Sequence, residues 1–119
     1  MSSLTQFDLS APDRARLEKL SAQGDAEASI RIAEFYIYAG EDGDPNVMDD
    51  EDKRKKRHWL EVAANQGHRG ALSALAVDLA SDNCLRARWI MTHIADTALE
   101  EEERLHAQGW LKEAAFSCG

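Results

Sequence analysis

The chain has 119 residues and a mass of 13.2 kDa, enough for one domain that buries roughly two-thirds of the surface its unfolded form exposes. With 44% hydrophobic residues against 30% charged ones of mixed sign, the composition is that of a globular protein. A formal charge of −8 repels phosphate backbones and anionic membranes, and no apolar run nears the roughly 20 residues of a membrane span, so nucleic-acid and membrane roles are excluded. Residues 1–10 lack the charged-then-apolar pattern of a secretion signal, which makes the cytoplasm the expected address. In that setting Cys84 and Cys118, far apart in sequence, are expected to be two reduced thiols.

Two prolines and seven glycines leave little material for a turn-rich β fold, and the abundance of Ala, Leu, Glu, Arg and Lys favours helix, so the fold class is all-α. A first helix starts at Ser10, whose hydroxyl can accept an amide of the first turn, with Pro12 and Asp13 at the favourable end. Gln23-Gly24 stops it, and Asp25 caps a second helix over about 26–39 that ends at Gly40. So short a link favours an antiparallel pair. The second helix is apolar around most of its circumference and is expected to lie between neighbours. Acid and glycine then dominate, with Pro45 inside, and residues 41–49 are the clear loop. A third helix spans about 50–66, with three acids at its start and Gly67 at its end, and a fourth about 68–80. Ser81-Asp82 is the expected cap of a fifth helix over 83–97, and a sixth spans 99–117.

A repeat underlies these elements. Gly24-Asp25-Ala26-Glu27-Ala28, Ile32-Ala33 and Tyr36 align with Gly67-His68-Arg69-Gly70-Ala71, Leu75-Ala76 and Leu79 at a constant spacing of 43 residues. The other half of the unit, Trp59-x-x-x-Ala63-Ala64-x-x-Gly67, returns as Trp110-x-x-x-Ala114-Ala115, with Cys118 in the glycine position and Gly119 one place late. Glycine ends a helix, alanine four residues later lets backbones approach, and the larger residues at further four-residue steps fill the groove. A helix pair of this kind leaves an apolar face open and must stack on another.

At these residues the sequence resembles the Sel-one-like repeats, a branch of the tetratricopeptide-related helical solenoids, with the strongest match over residues 23–79. The resemblance implies an α/α solenoid of two to three antiparallel helix pairs in a right-handed superhelix, here a single domain over 1–119. Residues 1–9 would be a flexible N-terminus and 82–119 an irregular last repeat or cap. The chain departs from the family pattern at Lys56, where alanine is usual, in the long loop after Tyr36, and in an extra helix holding Trp89.

The candidate sites divide by chemistry. Asp42, Asp44 and Asn46 alternate as in a calcium loop, but Val47 stands where glycine is needed and Lys53 where the closing glutamate belongs, so a solvated loop is expected. The basic run 53–57 follows a block of acids, and adjacent helix positions point apart; Asp49 with Lys53 and Asp52 with Lys56 have pairing distance. His58, His68, His93, His106 and the two cysteines show no short metal-ligand spacing, and no nucleophile elbow or phosphate loop occurs. The expectation is a non-enzyme with no metal and no cofactor. Trp59 and Trp110 occupy repeat positions that pack between helices, whereas Trp89 is either a core filler or an exposed anchor.

In the resembled family the first helix of each pair lines the concave side. Carried over by position, that surface comprises Glu27, Ile30, Glu34, Ile37 and Tyr38 from the second helix and Ser73 and Val77 from the fourth. Its aliphatic, aromatic and acidic side chains suit a basic or mixed-charge protein partner, and an antagonist of the immunity-protein kind is the more specific form. The alternative is a scaffold or self-associating subunit; the sequence leaves the oligomeric state open.

Overall fold

The computed structural model describes residues 9–38 and 50–118, and these form α-helices with one short 3₁₀ turn and no strand. The helices are α1 (Ala11–Ala22), α2 (Ala26–Tyr38), α3 (Asp50–Asn65), α4 (Arg69–Leu79), α5 (Cys84–Thr97) and α6 (Glu101–Leu111), followed by the 3₁₀ turn Ala114–Phe116. They fall into two compact units, Met1–His68 and Arg69–Gly119. In the first, α2 packs on α1 and on α3; in the second, α5 packs on α4, on α6 and on the 3₁₀ turn. The acidic loop 41–49, with its calcium-like positions and Asp49, lies outside the described residues, as does the expected flexible N-terminus except for Leu9.

Local chemistry sets the helix ends. Ser10 Oγ accepts the Asp13 amide at 3.2 Å, with Pro in the first turn. At the other end of α1, Gly24 takes φ +99°, and the amides of Gly24 and Asp25 reach back to the carbonyls of Ser21 and Leu20 at 2.9 and 3.1 Å. This is the paired bonding of a helix stop that needs a left-handed residue, which glycine supplies without a Cβ penalty. Asp25 Oδ1 accepts the Ala28 amide at 3.1 Å and opens α2. The same stop recurs 43 residues on: Gly67 takes φ +96°, and the amides of Gly67 and His68 bond Ala64 and Ala63, each at 3.1 Å. Burial repeats with it. Ala28 and Ala71, Ile32 and Leu75, Ala33 and Ala76, and Tyr36 and Leu79 are all buried, so the sequence repeat is also a repeat of packing positions.

In the first unit Leu9, Ile32, Phe35 and Tyr36 form a buried cluster with Leu17 and Trp59 against it. The Arg14 guanidinium sits 4.7 Å above the Phe35 ring. Beside this apolar core lies a closed polar ring. Ser29 donates its hydroxyl proton to Gln66 Oε1 at 2.6 Å, Ser21 donates to Ser29 Oγ at 2.6 Å, and Gln66 Nε2 donates to the Ser21 carbonyl at 2.9 Å. One amide side chain just beyond α3 thus fastens α1 and α2, and the buried serines keep their hydrogen bonds.

The core of the second unit is formed by Leu75 and Leu79 from α4, Ile90, Met91 and Ile94 from α5, Ala107 from α6, and Phe116. Two helix boundaries differ from expectation. Asn83, not Ser81-Asp82, caps α5: its side chain accepts the Arg86 amide at 3.3 Å. The sixth helix stops at Leu111, because Glu113 adopts an extended backbone after Lys112 and Glu113 close the last turn onto Gly109 and Trp110. Ala114 and Ala115, expected to continue a helix as in the first repeat, therefore lie in the 3₁₀ turn. The bend carries Phe116 into the core and brings Cys118 to Cys84.

There the two cysteines form a disulfide across 34 residues, which corrects the expectation of reduced thiols. Sequence distance was the wrong guide; a Cα separation of 5.4 Å, produced by the folded-back tail, is what permits the bond. Arg88 adds a hydrogen bond to the Phe116 carbonyl at 3.2 Å. Basic side chains of the run 53–57 are distributed around α3, and Lys55 pairs with Glu51 at 3.4 Å one turn earlier.

Two stability outcomes follow. Gln66→Ala leaves buried serine groups without partners and lowers unfolding free energy by about 1–3 kcal/mol, read from a urea transition; combined with Ser29→Ala the losses are less than additive. Cys84→Ser opens a 34-residue loop and costs up to about 4 kcal/mol in the chain-entropy account, and a dithiol reductant brings the wild type to the same midpoint.

Candidate functional site

The five α2 positions assigned from sequence share one side of that helix. Glu27, Ile30, Glu34, Ile37 and Tyr38 fall on one side of the helix, at steps of three or four residues with Tyr38 beside Ile37. The opposite side carries the buried Ala28, Ser29, Ile32, Ala33, Phe35 and Tyr36. Glu27 is exposed, Tyr38 is 48% exposed, and Ile30, Glu34 and Ile37 are half-buried between them. The Glu27 carboxylate lies 3.4 Å from His68 Nε2. Arg31, also exposed on this helix, interrupts the acid with one cation. Ser73, half-buried, and Val77, exposed, stand one turn apart on α4 in the second unit. The structure therefore gathers five of the seven assigned residues along one helix and two along another.

Sequence reasoning missed the polar centre of the second unit. Arg69, at the first position of α4, directs Nε to both carboxylate oxygens of Glu103 on α6 at 2.9 and 3.1 Å. Its Nη2 donates to the Ile94 carbonyl at 3.2 Å and to Thr97 Oγ1 at 3.1 Å, both in the last turns of α5. Thr97 in turn donates to the His93 carbonyl at 2.7 Å. A guanidinium suits this place because its rigid fork can meet a carboxylate and a helix-end carbonyl together. Nothing local announces the cluster, since its members are 25 to 34 residues apart.

Beside this pair opens a depression of about 480 Å³, lined also by Leu99, Glu100, Glu102 and His106. Its carboxylates favour cationic groups. His106 Nε2 accepts the indole N–H of Trp110 at 3.1 Å, which engages that nitrogen. Among the described residues, no group of three His, Cys, Asp or Glu side chains is placed to hold a metal ion.

The tryptophans take different environments. Trp59 is partly buried against the first core, and Trp110 packs against Phe116 with ring centroids 5.9 Å apart. Trp89 is 69% exposed and stacks on His93 at 5.8 Å, with 9° between the ring planes. It is an outward side chain, and Leu85, one turn before it, is 74% exposed.

Comparison with known proteins returned no match to a family model, to a curated protein or to a solved structure.

Arg69 is testable as a clasp. Arg69→Ala is expected to lower the stability of the chain by about 1–3 kcal/mol in urea unfolding, and Arg69→Lys to recover less than half of the loss, because one ammonium cannot span Glu103 and the end of α5 together.

Proposed function

We propose that this chain is a non-enzymatic interaction module that binds a basic or mixed-charge protein through the outward side of α2, with Ser73 and Val77 of α4 as the corresponding positions of the repeat. The observation that carries this reading is the side of α2 itself. Carboxylates of Glu27 and Glu34 alternate with Ile30 and Ile37 and end at the exposed ring of Tyr38. Apolar anchors beside two carboxylates, with Arg31 as a cation among them, are what a basic or mixed-charge partner can use, and the charge of −8 adds long-range attraction to such a partner.

The Sel-one-like identity of the 43-residue repeat belongs to the same proposal, supported by the matched glycine stops and matched burial at Ala28 and Ala71, Ile32 and Leu75, and Tyr36 and Leu79. An antagonist that neutralises a basic toxin or effector is its more specific form. A cytoplasmic address loses the support that reduced thiols would have lent it, since a disulfide is a bond of oxidising compartments. What bears on location otherwise is that, among the described residues, no helix is long and apolar enough to cross a membrane.

The test is retention of basic proteins on the immobilised chain. Wild type is expected to hold them at low salt and release them as salt rises, and Glu27→Lys with Glu34→Lys to weaken retention roughly tenfold or more. Retention that ignores both the double substitution and the salt concentration refutes the reading, as does a bound fraction without basic proteins.

A further inference from the structure

The segment after α6 is held to the second unit at few points. Residues 112–115 and Ser117 are exposed, Cys118 is half-buried, and Phe116 is fully buried. The Phe116 ring lies 5.9 Å from that of Trp110, and the exposed Arg88 donates to the Phe116 carbonyl at 3.2 Å. The amides of Phe116 and Ser117 bond the carbonyls of Glu113 and Ala114 at 3.0 and 3.1 Å, which closes the 3₁₀ turn on itself without tying it to α5. The remaining attachment is covalent, the bond from Cys118 to Cys84.

Ordering the backbone of residues 112–118 costs more than one buried ring and one side-chain hydrogen bond return, so the disulfide is what keeps Phe116 seated. Cys118 carries a sign of this. Among the described residues it is the non-glycine residue in the left-handed region, at φ +55°, a conformation unfavourable for a residue with a Cβ and retained only where something imposes it. The helices do not share the dependence. Leu75, Leu79, Ile90, Met91, Ile94 and Ala107 are buried within α4, α5 and α6, and Arg69 joins the same three helices.

We propose that the Cys84–Cys118 disulfide is a redox modification site that works as a latch: a dithiol reductant opens it, residues 112–118 leave α5 and Phe116 is unseated, while α4, α5 and α6 stay packed. A thiolate of the reductant attacks Cys118 Sγ, a mixed disulfide forms, and the electron pair of the broken bond goes to Cys84. The second thiol of the reductant then displaces Cys118. The chain gains two electrons and the two protons of the reductant, which leaves as its own disulfide. Cys84 suits the part of leaving group. It is the first residue of α5, where the helix dipole favours negative charge, and Arg88 stands one turn further on. Both cysteines are only half-buried, and the neighbouring Leu85 and Ser117 are exposed, so a reductant has access. The inference concerns the second unit and is independent of binding through α2.

The experiment is limited trypsin digestion of the full chain before and after treatment with millimolar dithiothreitol, followed by mass spectrometry of reduced, denatured samples, with circular dichroism and a thiol titre in parallel. Lys112 is exposed, but in the oxidised chain its amide and that of Glu113 bond Gly109 and Trp110, and the docked tail keeps the following residues from entering a protease. Reduction is expected to free both thiols without denaturant, to speed cleavage after Lys112 by about tenfold or more, and to leave helix content and slow cleavage at Arg88 within α5 unchanged. Oxidised glutathione is expected to restore the protection. C118S is expected to cleave like the reduced wild type and to ignore dithiothreitol, the chain having no cysteines beyond these two; C84S gives the same reading should C118S fail to fold. Unchanged cleavage after Lys112 in the reduced chain overturns the proposal, since the tail then stays docked without the bond. So does loss of helix content with fast cleavage at Arg88, which makes the disulfide a staple of the whole unit, or a bond that dithiothreitol opens only in denaturant.

Discussion

Helices of 11 to 16 residues, the length of all six among the described residues, have little stability in isolation, so their register must be imposed from outside each helix. Apolar contact supplies most of the free energy but is forgiving about sliding; directional polar bonds are not. Each unit contains such a fastening. Gln66 closes a ring with Ser21 and Ser29 and ties the end of α3 to α1 and α2. Three residues later, Arg69 ties the start of α4 to the end of α5 and to Glu103 of α6. Both residues bridge more than one helix, which a shorter or singly functional side chain could not do.

These fastenings determine what is left for binding. With Ser29 and the alanine and aromatic positions of α2 turned inward, the acids and the aliphatic residues at intervening steps are turned outward on the same helix. In the second unit the buried row Ala87, Ile90, Met91 and Ile94 directs Leu85 and Trp89 to solvent. The folded-back tail reinforces that orientation. Phe116 fills the core beside α5, and the disulfide at Cys84 with the Arg88 bond anchors the segment that follows α6. The outward Glu27 and Tyr38 of α2 and the outward Leu85 and Trp89 of α5 are thus products of the packing within each unit.

Much of the secondary structure was legible because helix ends are written in neighbouring residues. Ser10, Gly24, Asp25 and Gly67 act within four residues of themselves, and all four have the roles their chemistry implies. The fifth helix shows the limit of this. Ser81, Asp82 and Asn83 are all competent caps, and only the path of the chain leaving Leu79, where the Asn83 amide bonds the Leu79 carbonyl at 2.7 Å, selects among them. The sixth helix shows it more sharply. Ala114 and Ala115 have high intrinsic helix propensity and match the alanine pair of the first repeat, yet the gain from burying Phe116 and joining Cys118 to Cys84 takes them out of the helix.

By itself, then, the sequence determined the all-α class, the positions of most helix ends and the 43-residue correspondence. These depend on interactions spanning one to four residues or on a period visible along the chain. Tertiary structure alone decided the ring around Gln66, the Arg69 fastening, the disulfide, the break after Leu111 and the exposure of Trp89. Each of these joins or separates residues distant in sequence, and such pairings are selected by the free energy of the whole packed unit, which no local spacing records.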